Sequence, residues 1–76
     1  MQTKVYSTPT CPYCHMAKDY LKSKNIAFES IDVSVDRAGL DTMVKASGQM
    51  GVPVIVIDGK VIVGFDKTKI DALTGK

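Results

Sequence analysis

Seventy-six residues, 45% of them hydrophobic and 24% charged, make one small globular domain near the size at which a single core is barely sufficient. A formal charge of +2, with lysines dispersed among acidic residues, argues against nucleic acid or a membrane surface as a partner. No apolar run approaches membrane-spanning length, and Met1 to Lys4 lack the charged-then-apolar pattern of a signal sequence, so the expected location is cytoplasmic.

Lys4 to Ser7, carrying Val5 and Tyr6, reads as a first strand on β-propensity. Cys11-Pro12-Tyr13-Cys14 follows directly, and Pro12 suits the first position of a helix, where its missing N–H costs nothing. From Pro12 to Lys24 the apolar residues Tyr13, Ala17, Tyr20 and Leu21 recur at helical spacing, with Lys18, Asp19, Lys22 and Ser23 opposite. The pattern predicts a surface helix ending near Asn25. Ala27 to Val33, around Phe28 and Ile31, predicts a second strand, parallel to the first across a right-handed crossover. Asp36 is placed to cap a second helix whose buried stripe is Leu40, Met43 and Val44, and Gly48 to stop it.

Val54 to Ile57 is a continuous β-branched run, typical of a strand buried on both faces. Asp58-Gly59 is a hairpin turn signal leading into Lys60 to Val63, so these two strands pair antiparallel. Gly64 breaks the pattern, Asp66 or a neighbour caps, and Ile70 and Leu73 mark a short last helix. The order βαβαββα predicts an α/β domain with a four-stranded mixed sheet and helices on both faces. Met16, Met43 and Met50 read as gap-filling apolar residues, and His15 as a solvent-exposed helix residue.

Two thiols three residues apart, where a strand hands over to a helix, point to redox chemistry. Unpaired N–H groups and the positive dipole end of a helix favour a thiolate there. Cysteines in such Cys-x-x-Cys sites titrate at roughly 3.5 to 7.5, against about 8.5 for a free thiol. Cys11 at the tip should be accessible and attack; Cys14, one turn further in, should be buried and resolve. A closed structural zinc site needs four ligands, and only Cys11, Cys14 and the adjacent His15 are at hand. A purely structural disulfide gains little from so small a loop. Reducing cytoplasmic conditions also suit a catalytic pair better than a permanent bridge.

Three motifs in order, Cys11-Pro12-Tyr13-Cys14 at the first strand-to-helix junction, Val52-Pro53 opening a buried strand and Gly64-Phe65-Asp66 opening the last helix, resemble the glutaredoxin family of the thioredoxin fold. The resemblance spans nearly the whole chain. It implies a cis bond at Val52-Pro53 beside the cysteines, with the Val52 backbone available to pair with an extended thiol peptide. It also implies that the γ-glutamyl end of glutathione sits on Gly64, Phe65 and Asp66, where the Asp66 carboxylate accepts from the ammonium as well as capping the helix. Tyr13 is expected to line the substrate groove, although packing over the helix start would look the same in sequence.

At two positions the chain departs from the family's pattern. Thr8 stands where many glutaredoxins carry a cation for the glycyl carboxylate, and Gly51 where a threonine is usual. Gln49 is left to offer an amide to that carboxylate. One lost charge-assisted contact costs about 1 to 3 kcal/mol.

The implied activity is that of a monomeric dithiol oxidoreductase without a tightly bound cofactor. It would use glutathione as co-substrate, act on protein disulfides and glutathionylated proteins, and work near about −200 to −230 mV. Two further readings are a redoxin recharged by thioredoxin reductase that donates electrons to ribonucleotide reductase or another target, and an iron–sulfur carrier using Cys11 from two subunits with two glutathiones. Pro12 and the bulky Tyr13 oppose the close dimer that the carrier requires.

Overall fold

The computed structural model describes residues 2–75. Its elements are β1 (Thr3–Ser7), α1 (Pro12–Ser23), β2 (Glu29–Asp32), α2 (Arg37–Ser47), β3 (Val54–Ile57), β4 (Lys60–Val63) and α3 (Lys67–Thr74). The strands form one sheet in the order β2-β1-β3-β4. β1 runs parallel to β2, with Ser7 opposite Asp32, and antiparallel to β3, with Tyr6 opposite Val54. β3 and β4 form the hairpin expected from Asp58-Gly59, where both residues take the positive φ that such a turn demands.

Strand alternation sends side chains to two cores. On one face Val5, Ile55, Ile57 and Ile62 pack with Ala17 and Leu21 of α1 and Ile70 of α3. On the other, Tyr6, Val33 and Val54 pack with Met43 of α2. The three helices therefore cover both faces, and β3 is buried on each side, as its unbroken β-branched sequence demands.

Local capping chemistry sets the helix ends. Asp36 caps α2 by accepting from the Gly39 N–H at 2.8 Å, and Gly48 closes that helix in the left-handed region at φ 75°. Asp66 caps α3 in the same way, accepting from the Lys69 N–H at 3.2 Å. The second strand is shorter than expected: pairing with β1 begins only at Lys4 opposite Glu29, so Ala27 and Phe28 precede the ladder. Asn25, at φ 58°, turns the chain after α1, and Ile26 plunges into the core before the strand begins.

Of Met16, Met43 and Met50, only one is a core residue. Met43 is fully buried, whereas Met16 and Met50 are 47% and 68% exposed. Tyr13 also leaves the apolar stripe of α1, which is built from Cys14, Ala17 and Leu21.

Gly39 marks a tight contact between α2 and the sheet. A Cβ there would stand 2.6 Å from Ile31 Cγ2 and 3.1 Å from the Asp36 carboxyl carbon. Ile31 is β-branched and stiff, so it yields poorly. Overpacking of this kind costs typically about 1 to 3 kcal/mol, set against the roughly 1 kcal/mol that alanine gains over glycine in a helix. Gly39→Ala is expected to lower stability by about 1 kcal/mol in denaturant unfolding. A rise in the urea midpoint would show that Ile31 moves aside freely.

Candidate active site

β1 ends at Ser7, buried in the centre of the sheet, and the chain then climbs through Thr8, Pro9 and Thr10 to the start of α1. This loop is tied at both ends. The Cys11 N–H donates to the Thr8 carbonyl at 3.4 Å, and the His15 ring donates from Nε2 to the Pro9 carbonyl at 2.9 Å. His15 is exposed, as expected, yet it holds the loop in front of the cysteines. Its sequence position offers no sign of that role.

Cys11 is the N-cap of α1, with extended backbone (φ −93°, ψ 112°), and Pro12 takes the first helical position. The cap acceptor is the sulfur itself: the Cys14 N–H donates to Cys11 Sγ at 3.4 Å. A hydrogen bond of this kind is stronger to a thiolate than to a thiol. Cys11 Sγ also lies 3.9 Å from the Val52 carbonyl oxygen, which accepts from it. Cys11 is partly exposed and Cys14 has no accessible surface. Burial, and then contact with the Cys11 sulfur, push the Cys14 thiol up to about 11; the Thr8 backbone and the Lys18 charge pull weakly the other way. Cys14 is therefore a neutral thiol at physiological pH, and Cys11 is the sulfur that solvent and substrate can reach.

The second wall is the Val52–Pro53 segment, whose peptide bond is cis. Pro53 is buried, and its carbonyl accepts from the Gly64 N–H at 2.8 Å. That bond brings the start of α3 against the proline loop, with Gly64 at φ 84°. Phe65 then meets Tyr20 of α1 edge-on, ring centroids 5.8 Å apart, and the Tyr20 hydroxyl donates to Asp71 Oδ1 at 2.5 Å. The two helices that flank the dithiol are thus fastened to each other. Neither the Tyr20–Asp71 bond nor the Lys67 ammonium lying over both rings, 5.5 and 5.9 Å from their centroids, is legible from local sequence.

Of the residues singled out in sequence, the structure brings Thr8, Cys11, Cys14 and Val52 into direct contact, and joins Pro53 to Gly64. Tyr13 is 62% exposed beside them. The Phe65 ring is occupied by packing on Tyr20 and the core. Asp66 keeps acceptor capacity beyond its capping bond. Gln49 is exposed, its backbone N–H held by the Ser47 hydroxyl at 3.4 Å. Its side-chain amide nitrogen lies 3.4 Å from where a Cβ on Gly51 would stand. No helix among the described residues is long and apolar enough to cross a membrane, and they hold no cluster of three or more His, Cys, Asp or Glu able to bind a metal ion.

Residues 3–62 match the family model described as Glutaredoxin. A glutaredoxin-like 8.6 kDa protein of the rubredoxin operon of Clostridium pasteurianum is 55% identical over 73 residues, covering 96% of this chain and 97% of that protein. Glutaredoxin 3 of Escherichia coli K12 is 41% identical over 63 residues, covering 83% of this chain and 76% of that protein. Among solved structures, the glutaredoxin-like protein NrdH-redoxin of Escherichia coli, whose activity profile is described as thioredoxin-like, superposes with a TM-score of 0.86. It is 25% identical, and the match covers 96% of this chain and 95% of that one.

Proposed function

The chain belongs to the glutaredoxin family of thiol–disulfide oxidoreductases, and from that premise we propose that it is a single-domain, dithiol, glutathione-dependent enzyme acting through Cys11 and Cys14. The observation that carries this reading is the placement of the two sulfurs. One caps α1 within reach of solvent and of the Val52 carbonyl; the other is sealed behind it.

The Cys11 thiolate attacks one sulfur of a protein disulfide or a glutathione mixed disulfide. The old S–S bond breaks, the departing thiolate takes a proton from solvent, and Cys11 is left in a mixed disulfide. Cys14, once deprotonated, attacks Cys11 Sγ, releases the second thiol and closes the Cys11–Cys14 disulfide. Two glutathione molecules return the pair to dithiols and leave as glutathione disulfide. The Val52 backbone pairs with the extended substrate, and Gly64, Phe65 and Asp66 receive its γ-glutamyl end. Gln49 and Thr8 offer uncharged polar contacts to the glycyl carboxylate, with Tyr13 lining the groove. The protein works as a cytoplasmic monomer on glutathionylated and disulfide-bonded proteins, with no resident cofactor.

A second reading has its own support. Thr8 supplies no charge for the glycyl carboxylate, and the NrdH-redoxin fold matches this chain almost end to end. A redoxin of that kind would be recharged by thioredoxin reductase and pass electrons to ribonucleotide reductase or another target. Incubating the oxidised protein with glutathione, or separately with NADPH and thioredoxin reductase, separates the two. Rapid appearance of two thiols is expected with glutathione. Reduction by the reductase alone would overturn the first reading in favour of the second.

A further inference from the structure

Cys14 must lose its proton in a fully buried position before it can resolve a mixed disulfide, and nothing in the dithiol motif itself makes that easy. Lys18 is placed to help. It lies four residues after Cys14 on α1, a spacing that stacks side chains on one helix face with Cβ atoms about 5 to 6 Å apart. It is half-buried, whereas its neighbours Asp19 and Lys22 are exposed. Asp32, the last residue of β2, is in register with Ser7 at the strand end from which the chain rises to Cys11. The Asp32 carboxylate is fixed by the Ser34 hydroxyl at 2.5 Å and the Ser34 N–H at 2.9 Å, and these bonds hold it ionised. The Lys18 charge is felt at both Cys14 and Asp32. The groups acting on Cys14 are Cys11, Lys18 and the Thr8 backbone.

We propose that Lys18 is a positioning residue for the resolving half-reaction: from the helix face it shares with Cys14, its ammonium stabilises the Cys14 thiolate while that sulfur attacks the mixed disulfide at Cys11. The proposal rests on the oxidoreductase reading given above. In the step it assists, the Cys14 proton passes to solvent, the Cys14–Cys11 S–S bond forms, the bond from Cys11 to the substrate sulfur breaks, and the substrate leaves as a thiolate. Lys18 is neither oxidised nor reduced and transfers no proton. In the resting enzyme its charge does not outweigh burial, so Cys14 stays protonated and leaves the first attack to Cys11.

The two half-reactions can be watched separately by mixing reduced enzyme with a chromogenic aromatic disulfide, 5,5′-dithiobis(2-nitrobenzoate), in a stopped-flow instrument. Attack by Cys11 releases one coloured thiolate, and resolution by Cys14 releases the second. Lys18→Met keeps the length and apolar stem of the side chain and removes the charge. A one-unit rise in the effective thiol pKa slows attack by only about threefold near neutral pH, because the more basic thiolate is also the better nucleophile. The second phase of Lys18→Met is therefore expected to slow by up to about threefold at pH 7. Its pH profile should move up, with the first phase unchanged and Lys18→Arg restoring the second phase.

Equal slowing of both phases, or a second phase untouched by the loss of charge, would overturn the assignment. A Cys14→Ser background in which Lys18→Met still changed the single remaining phase would do the same. Absence of any first phase in the wild-type protein would instead overturn the oxidoreductase reading, and the Lys18 assignment with it.

Discussion

Cys11→Ser is expected to abolish turnover of glutathionylated peptides and of protein disulfides alike, lowering kcat/KM by about 10³-fold or more, because a serine hydroxyl does not ionise near neutral pH and cannot replace a thiolate as nucleophile. Cys14→Ser should divide the two activities. Glutathione can resolve a mixed disulfide from outside, so peptide deglutathionylation survives within a few-fold. Reduction of a protein disulfide needs an internal second sulfur and should be lost. The asymmetry follows from geometry: Cys11 Sγ is partly exposed at the tip of α1, and Cys14 has no accessible surface. Single-turnover rates for each variant with a glutathionylated peptide and with a disulfide-bonded protein provide the check. A Cys11→Ser protein that kept full activity would move the nucleophile to Cys14 and reverse the roles of the two sulfurs.

What could be read in the chain follows from how local each interaction is. Asp36, Gly48, the Asp58-Gly59 turn and Asp66 act on backbone groups within a few residues, so their sequence positions alone predict the element ends that the structure shows. β3 was legible because an unbroken β-branched run has few other homes. Hydrophobic spacing was less decisive where an element meets solvent. Met16 and Met50 are apolar by type, but Met16 projects from the open side of α1 and Met50 from the loop before the proline, so both are exposed. Tyr13 fitted the helical period and yet stands out beside Cys11, since the buried stripe is carried by Cys14, Ala17 and Leu21.

The dithiol itself was legible, but its supports were not. The His15–Pro9 bond bridges six residues and the Tyr20–Asp71 bond fifty-one. The longer pairing exists only once α1 and α3 have packed on the same face of the sheet. Together they hold α1, α3 and the loop at Thr8 in fixed relation around the Cys11 sulfur.

Stability of the reduced protein should fall by up to about 3 kcal/mol between pH 9 and pH 11 on account of Cys14 alone, with the thiol held at about 11 in the fold against 9.0 as the ordinary value. Below pH 9 both folded and unfolded chains keep the proton, and the contribution is whole. Above it the unfolded chain gives up the proton while the fold retains it. The native state then binds more protons than the unfolded state, and each rise in pH favours unfolding until the buried thiol ionises too.

Other groups titrate in the same range, among them Tyr20, whose bond to Asp71 holds its hydroxyl above the usual value. They are shared by a Cys14→Ser control. The quantity to follow is thus the difference in urea midpoint between wild type and Cys14→Ser at pH 8, 9.5 and 11, under reducing conditions. It should shift steadily against the wild type. A difference that stayed flat would mean that Cys14 titrates as an ordinary exposed thiol, and the proposed division of labour between the two sulfurs would lose its physical basis, which is the burial that keeps Cys14 protonated.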